Sequence, residues 1–198
     1  MQDDIARLTR ALAVAVGPSS DFDLNPGTPA AGPGALRQAA VLVAVQPAPG
    51  GMRVILTKRA SHLKHHPGQI AFAGGKLDPS DDSPESAALR EAQEEIGLPA
   101  RMAQVLGRLA PHMTVTGFSV MPIMALIDAS FAPRPDPSEV EEAFSVPLAH
   151  VLNPDNYTVQ GRIWRGEMRR YYAVPYGPYY IWGATARILR GLAGRVAS

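Results

Sequence analysis

The 198-residue chain contains no cysteine. That absence excludes disulfides, cysteine-ligated zinc and a thiol nucleophile. Net charge is almost absent too, with 19 Lys and Arg against 18 Asp and Glu leaving +1. Bulk charge therefore gives no reason to expect nucleic-acid binding. No apolar run reaches the roughly 18–20 residues that a membrane helix needs. The acidic Met-Gln-Asp-Asp start lacks the basic region of a secretory signal. A cytoplasmic protein without a membrane partner is expected. What the chain does have is a hydrophobic content of 46%, enough for a packed core, at a length typical of one domain.

Residues 3–16 carry Ile5, Leu8 and Leu12 at helical spacing. Residues 17–34 are rich in Pro and Gly and read as an arm. The expected organisation is an N-terminal helix and arm over 1–34 and a main domain over 35–198. Val-rich runs at 39–45 and 52–57 flank a Pro-Gly turn cluster and predict a hairpin. Residues 59–82 carry few regular signals, and so long an irregular stretch within a compact domain is usually functional. Ser83 and Pro84 then suit the N-cap and first position of a helix that Gly97 ends, giving a helix over about 84–96. Strands are expected at 103–109 and 119–128, with Pro122 implying an edge or a bulge. A short helix is expected at 146–152, a hairpin at 157–174 and a last helix at 185–196. Helices and strands without regular alternation suggest an α+β or mixed α/β layered fold.

The small net charge is a cancellation. Residues 78–95 hold seven acids and one base, Arg90, whereas residues 53–69 hold four bases, three His and no acid. After Asn156 there are seven Arg and one acid. On a helix advancing about 100° per residue, Glu91, Glu94 and Glu95 fall within an arc of roughly 100°. Leu89, Ala92 and Ile96 fall on another side, which can anchor the helix. Like charges at this spacing repel. A hard divalent cation would offset them, because carboxylates completed by substrate phosphates are a Mg²⁺ or Mn²⁺ pattern. A Glu-rich face is also compatible with simple solvation, and a Gly pair with an ordinary turn. Their combination points to chemistry. His62, His65 and His66 do not make a zinc motif, since Leu63 stands where a metalloprotease-like site needs Glu.

Gly75, fourteen further residues and then Arg90-Glu91-Ala92-Gln93-Glu94-Glu95-Ile96-Gly97-Leu98 resemble the signature of the Nudix hydrolase superfamily. The helical half matches fully. In the loop half an Asp replaces the first Glu and one residue is added. Asp81 fits the spacing from Gly75 and Asp82 the spacing to Arg90. Upstream, Leu56-Thr57-Lys58-Arg59 and the run from Leu63 through Lys64, His65, Gly68, Phe72 and Ala73 to Gly74-Gly75 resemble the motif of the coenzyme A pyrophosphatase branch. Lys64 and Ala73 depart from that motif, in which Arg and Pro are usual. Segments around Val115–Pro122, Glu139–Leu148 and Ile181–Ala186 extend the resemblance over roughly residues 36–195.

The resemblance implies an α/β/α sandwich around a mixed β-sheet. It also implies metal-dependent hydrolysis of coenzyme A to adenosine 3′,5′-bisphosphate and 4′-phosphopantetheine. Glu91, Glu94 and Glu95 would be the ligands of Mg²⁺ or Mn²⁺, with Arg90 orienting them by bidentate hydrogen bonds. Gly74 and Gly75 would let their loop approach the helix closely. Glu139 or one of the helix carboxylates would be the general base. Arg59, Lys64 and His65 would contact the anionic substrate, a role to weigh against an ordinary basic loop. The six aromatic residues Tyr171, Tyr172, Tyr176, Tyr179, Tyr180 and Trp182 are expected in the core or on a sheet surface rather than against adenine. The competing readings are another nucleoside diphosphate derivative such as ADP-ribose, or a non-catalytic nucleotide sensor. The expected partner is the small-molecule nucleotide. A homodimer stays open.

Overall fold

A computed structural model describes residues 2–25, 36–164 and 166–197. The elements run α1 (Gln2–Ala13), β1 (Ser19–Ser20), β2 (Arg37–Ala48), β3 (Gly51–Arg59), β4 (Ile70–Ala71), β5 (Ala73–Lys76), α2 (Pro84–Ile96), β6 (Ala103–Arg108), β7 (His112–Met113), β8 (Phe118–Ile127), β9 (Val140–Pro147), α3 (Leu148–Leu152), β10 (Thr158–Trp164), β11 (Glu167–Ala173) and α4 (Gly183–Ala197). Strands β1 to β9 form one mixed sheet, and β10 and β11 form a separate antiparallel pair. At the centre, β2 runs parallel to β8 and antiparallel to β3 and β5.

The alternation of side chains along β2 divides the core. Ala40, Leu42 and Ala44 face α2, whereas Val43 and Val45 face the layer containing α1, α3 and α4. The expected α/β/α sandwich is therefore present. No helix among the described residues is long and apolar enough to cross a membrane.

The helix that carries the acidic motif forms over Pro84–Ile96. Ser83 accepts from the Ser86 amide at 3.1 Å, and Ser86 Oγ accepts from the Ser83 amide at 3.0 Å, a reciprocal capping box. Gly97 closes the helix in the left-handed conformation at φ 68°. Ala87, Ala88, Ala92 and Ile96 are fully buried against the sheet. Burial of Ile96 contributes about 1.5–3 kcal/mol. The small alanines allow a close approach, which also carries Glu95 to 3% exposure. Leu89, expected on the anchoring side, is only partly buried at the margin of this cluster. Replacing Ser83 with Ala is expected to cost ~1 kcal/mol, read as a fall of roughly 2–4 °C in melting temperature. An unchanged melting temperature would remove the cap from the account.

Three local expectations need correction. The stretch 59–82 is not wholly irregular, because β4 and β5 lie within it. A strand, β9, precedes α3, which begins at Leu148 rather than at 146. Pro122 lies in an interior strand paired with Val41 of β2. On the other side of β8, pairing passes from β6, at Ile123, to β7, at Val120. The Pro122 carbonyl accepts from Leu109 in the connection between those strands. The carbonyl and nitrogen of a strand residue point the same way, so the missing N–H falls where the neighbouring ladder is interrupted.

The expected division at 34/35 lies outside the described residues. Before it, Leu8 and Ala11 of α1 are buried in the core. Ser19 and Ser20 pair with His112 and Met113.

Candidate active site

β5 lies against β2, with Gly75 opposite Ala40 and Gly74 opposite Val41. A Cβ at Gly75 would lie 2.6 Å from Cδ and 2.8 Å from Oε2 of Glu91. A Cβ at Gly74 would instead meet backbone, 2.6 Å from Val41 Cα. The two glycines thus have different tasks. Gly74 keeps β5 on the sheet, and Gly75 leaves room for a carboxylate. The Gly74 amide donates to Glu95 Oε2 at 3.3 Å.

Glu91 and Glu95 are thereby drawn into a crease between α2 and β5. Burial raises the Glu91 carboxyl above its ordinary range and pushes that of Glu95 up to about 8. The charge of Glu91 raises Glu95 further, that of Glu94 raises Glu91, and Glu139 adds its negative charge to both. Glu139 is exposed but is set beside the crease by β9. Val140 pairs with Arg59, and the Glu139 carbonyl accepts from the Ala60 amide at 2.9 Å.

Arg90 holds the outer side together. Its Nε and Nη2 donate to the two oxygens of Asp81 at 3.1 and 3.0 Å, and Nη1 donates to Glu91 and Glu94 at 3.1 Å each. Nη2 also donates to the Lys76 carbonyl at 3.2 Å. Asp81 takes the bidentate pair, and Arg90 lowers its carboxyl pKa, whereas Asp82 is exposed.

Among the described residues no three acid or imidazole side chains already converge as a metal cage. Glu94 is exposed at the rim, held by Arg90, while Glu91 and Glu95 occupy the crease. The donor set still fits a hard dication. It consists of oxygen alone, and one or two carboxylates with substrate oxygens suffice for such an ion. A positive ion would also relieve the cost of holding two desolvated carboxylates together.

A cleft of about 360 Å³ reaches this crease at Gly74. Such a volume lies in the range of small-molecule sites. Arg59 lines it from the end of β3, His66 and Gln69 from the loop that follows, and Arg162, Arg169 and Arg170 from the β10–β11 hairpin. Lys64 and His65, expected to contact substrate, are exposed and do not line the cleft. The aromatic residues divide in a way the sequence reading did not anticipate. Tyr172, Tyr176 and Tyr179 pack on the core, as expected. Tyr171 and Trp182 line the cleft, with ring centroids 5.0 Å apart. Asn25 is a further unanticipated member. Its side chain donates to the Arg170 carbonyl at 3.0 Å and accepts from the Arg170 amide at 2.8 Å, fastening the hairpin to the N-terminal segment. The excess of Arg after residue 156 was the available signal for the hairpin. Nothing local marked Asn25.

The chain matches the family described as NUDIX domain over residues 36–165. A Salmonella paratyphi B protein described as an uncharacterized Nudix hydrolase, NudL, is 44% identical over 159 residues, covering 79% of this chain and 81% of that protein. Among solved structures, a Nudix hydrolase from M. smegmatis, RenU, is similar with a TM-score of 0.50 at 30% identity, covering 58% of this chain and 73% of that one. A MutT/nudix family protein from Enterococcus faecalis has a TM-score of 0.51 at 13% identity, covering 86% of this chain and 65% of that one, a likeness of fold alone.

Proposed function

This chain belongs to the Nudix family, and from that premise we propose that it hydrolyses the diphosphate bond of coenzyme A, releasing adenosine 3′,5′-bisphosphate and 4′-phosphopantetheine. It is a Nudix hydrolase, of a family that acts on small nucleotide-derived substrates and generally uses divalent metal ions. The observation that carries the coenzyme A reading is the cleft: arginines and aromatic rings line it, and it reaches Gly74, whose amide holds Glu95, although Glu91, Glu94 and Glu95 do not themselves line it. The motif from Leu56 to Gly75 supports it independently, since Arg59 and Gly74 of that motif both line the cleft.

Mg²⁺ or Mn²⁺ is the proposed ion. Glu91 and Glu95 would hold it from the crease and Glu94 from the rim. When bound, such an ion neutralises phosphate oxygens and lowers the pKa of an attacking water. The protein's own part is positional. Arg90 restrains Glu91 and Glu94. Gly75 keeps the Glu91 carboxylate in its place. Arg59, whose charge lowers the Glu95 pKa, lies where it can meet a substrate anion. Glu139 or one of the helix carboxylates is the proposed general base, and the effect of Glu139 on both Glu91 and Glu95 supports its proximity. The cytoplasm is the proposed location.

A panel of coenzyme A, ADP-ribose and a dinucleoside polyphosphate, each incubated with Mg²⁺ or Mn²⁺, tests the substrate. Coenzyme A is expected to have the highest kcat/KM. A higher value for ADP-ribose would assign the cleft to that nucleotide instead.

A further inference from the structure

The hairpin end of the cleft is rich in positive charge: Arg162, Arg169 and Arg170 line it, and Asp21, the acid in the lining, is engaged by His112 and the Val115 amide. Arg162 of β10 and Arg169 of β11 are directly opposite in the antiparallel register, so both side chains stand on one face. Like charges directly opposite destabilise a strand pair. Tyr171, two residues beyond Arg169, shares their face. The Arg162 guanidinium lies 4.8 Å from the centroid of Trp182, which in turn meets Tyr171. All four residues line the cleft, together with Arg59 and Arg170. Among the described residues no carboxylate pairs with Arg162. The opposed arginines, placed on a cleft wall beside two aromatic faces, make a receptor for an anion attached to a planar ring.

We propose that this hairpin face is a second anion subsite, holding a phosphate remote from the scissile diphosphate while Trp182 and Tyr171 contact the nucleotide base. The inference rests on the reading of the substrate as a nucleoside diphosphate derivative and adds the requirement for a further phosphate. Asn25 is a positioning residue for the subsite, since both of its hydrogen bonds to Arg170 fix the β11 backbone.

The test is calorimetric binding of adenosine 3′,5′-bisphosphate and of adenosine 5′-monophosphate to the full chain without turnover. The bisphosphate is expected to bind at least about tenfold more tightly, the effect of one charge-assisted contact. Arg162→Ala should remove most of that preference. Arg101→Ala, an exposed arginine outside the cleft, should keep it, which separates a local subsite from general charge attraction. Arg162 is itself exposed, so its variant is expected to fold, and an unchanged melting temperature checks this. Absence of the preference, or its persistence in Arg162→Ala, would overturn the subsite. Failure to cleave coenzyme A with the Arg162-dependent preference intact would remove the substrate reading and leave the subsite standing. Cleavage of coenzyme A with no such preference would do the reverse.

Discussion

Glu95→Gln is expected to lower turnover by at least about 100-fold while the protein keeps its fold. The substitution is nearly isosteric and removes the charge from the most deeply buried acid of the crease. The loss corresponds to about 3 kcal/mol of transition-state stabilisation, within the several kcal/mol that a correctly held metal ion can contribute. Stability should not fall with activity. Burial opposes the ionised form of Glu95 in the protein as it stands, and a neutral amide avoids that desolvation cost. The paired measurement is kcat with a thermal melt. A variant with near-normal turnover would remove Glu95 from the metal-binding set. A variant that loses activity and also melts far below the parent would show a structural role instead.

Gly75→Ala is expected to be the next most damaging change, by a different route. The added methyl would occupy space that the Glu91 carboxylate now fills, at 2.6 Å from its Cδ. The obstacle is the end of a flexible side chain, so the fold can persist while the carboxylate is displaced. Misplacing a catalytic group by about 1 Å can cost on the order of 10²-fold in rate. Gly74→Ala supplies the contrast, because its methyl would strike the β2 backbone at Val41. It is expected to lower the melting temperature first. If Gly75→Ala retained full turnover, Glu91 would not need its present position.

The legibility of the chain followed the range of the interactions involved. The α2 helix was readable because its signals are local: Ser83 caps it, Gly97 ends it, and its alanines and Ile96 have helical spacing. β9 was not readable, because Glu141 and Glu142 make its first residues look like an acidic loop. The strand forms by pairing with β3, and Lys58 meets Glu141 at 2.6 Å across that pair. β5 was hidden by its glycines, which locally signal a turn but here permit close packing against β2 and α2.

The same distinction governs the site. The shared side of the helix for Glu91, Glu94 and Glu95 was legible from helical spacing, but spacing could not say that Arg90 would restrain Glu94 at the rim while Glu95 was buried. Tyr171 and Trp182 were expected in the core or on a sheet surface, because their position on the cleft depends on how β11 and the start of α4 come together. Asn25 reaches Arg170 across 145 residues of sequence.

The most direct measurement is the identity of the products when the full chain is incubated with coenzyme A and Mg²⁺ or Mn²⁺, separated by chromatography, with Glu95→Gln run alongside. The expected result is adenosine 3′,5′-bisphosphate and 4′-phosphopantetheine from the parent and almost none from the variant. No cleavage with either ion, or equal cleavage by parent and variant, would contradict the account.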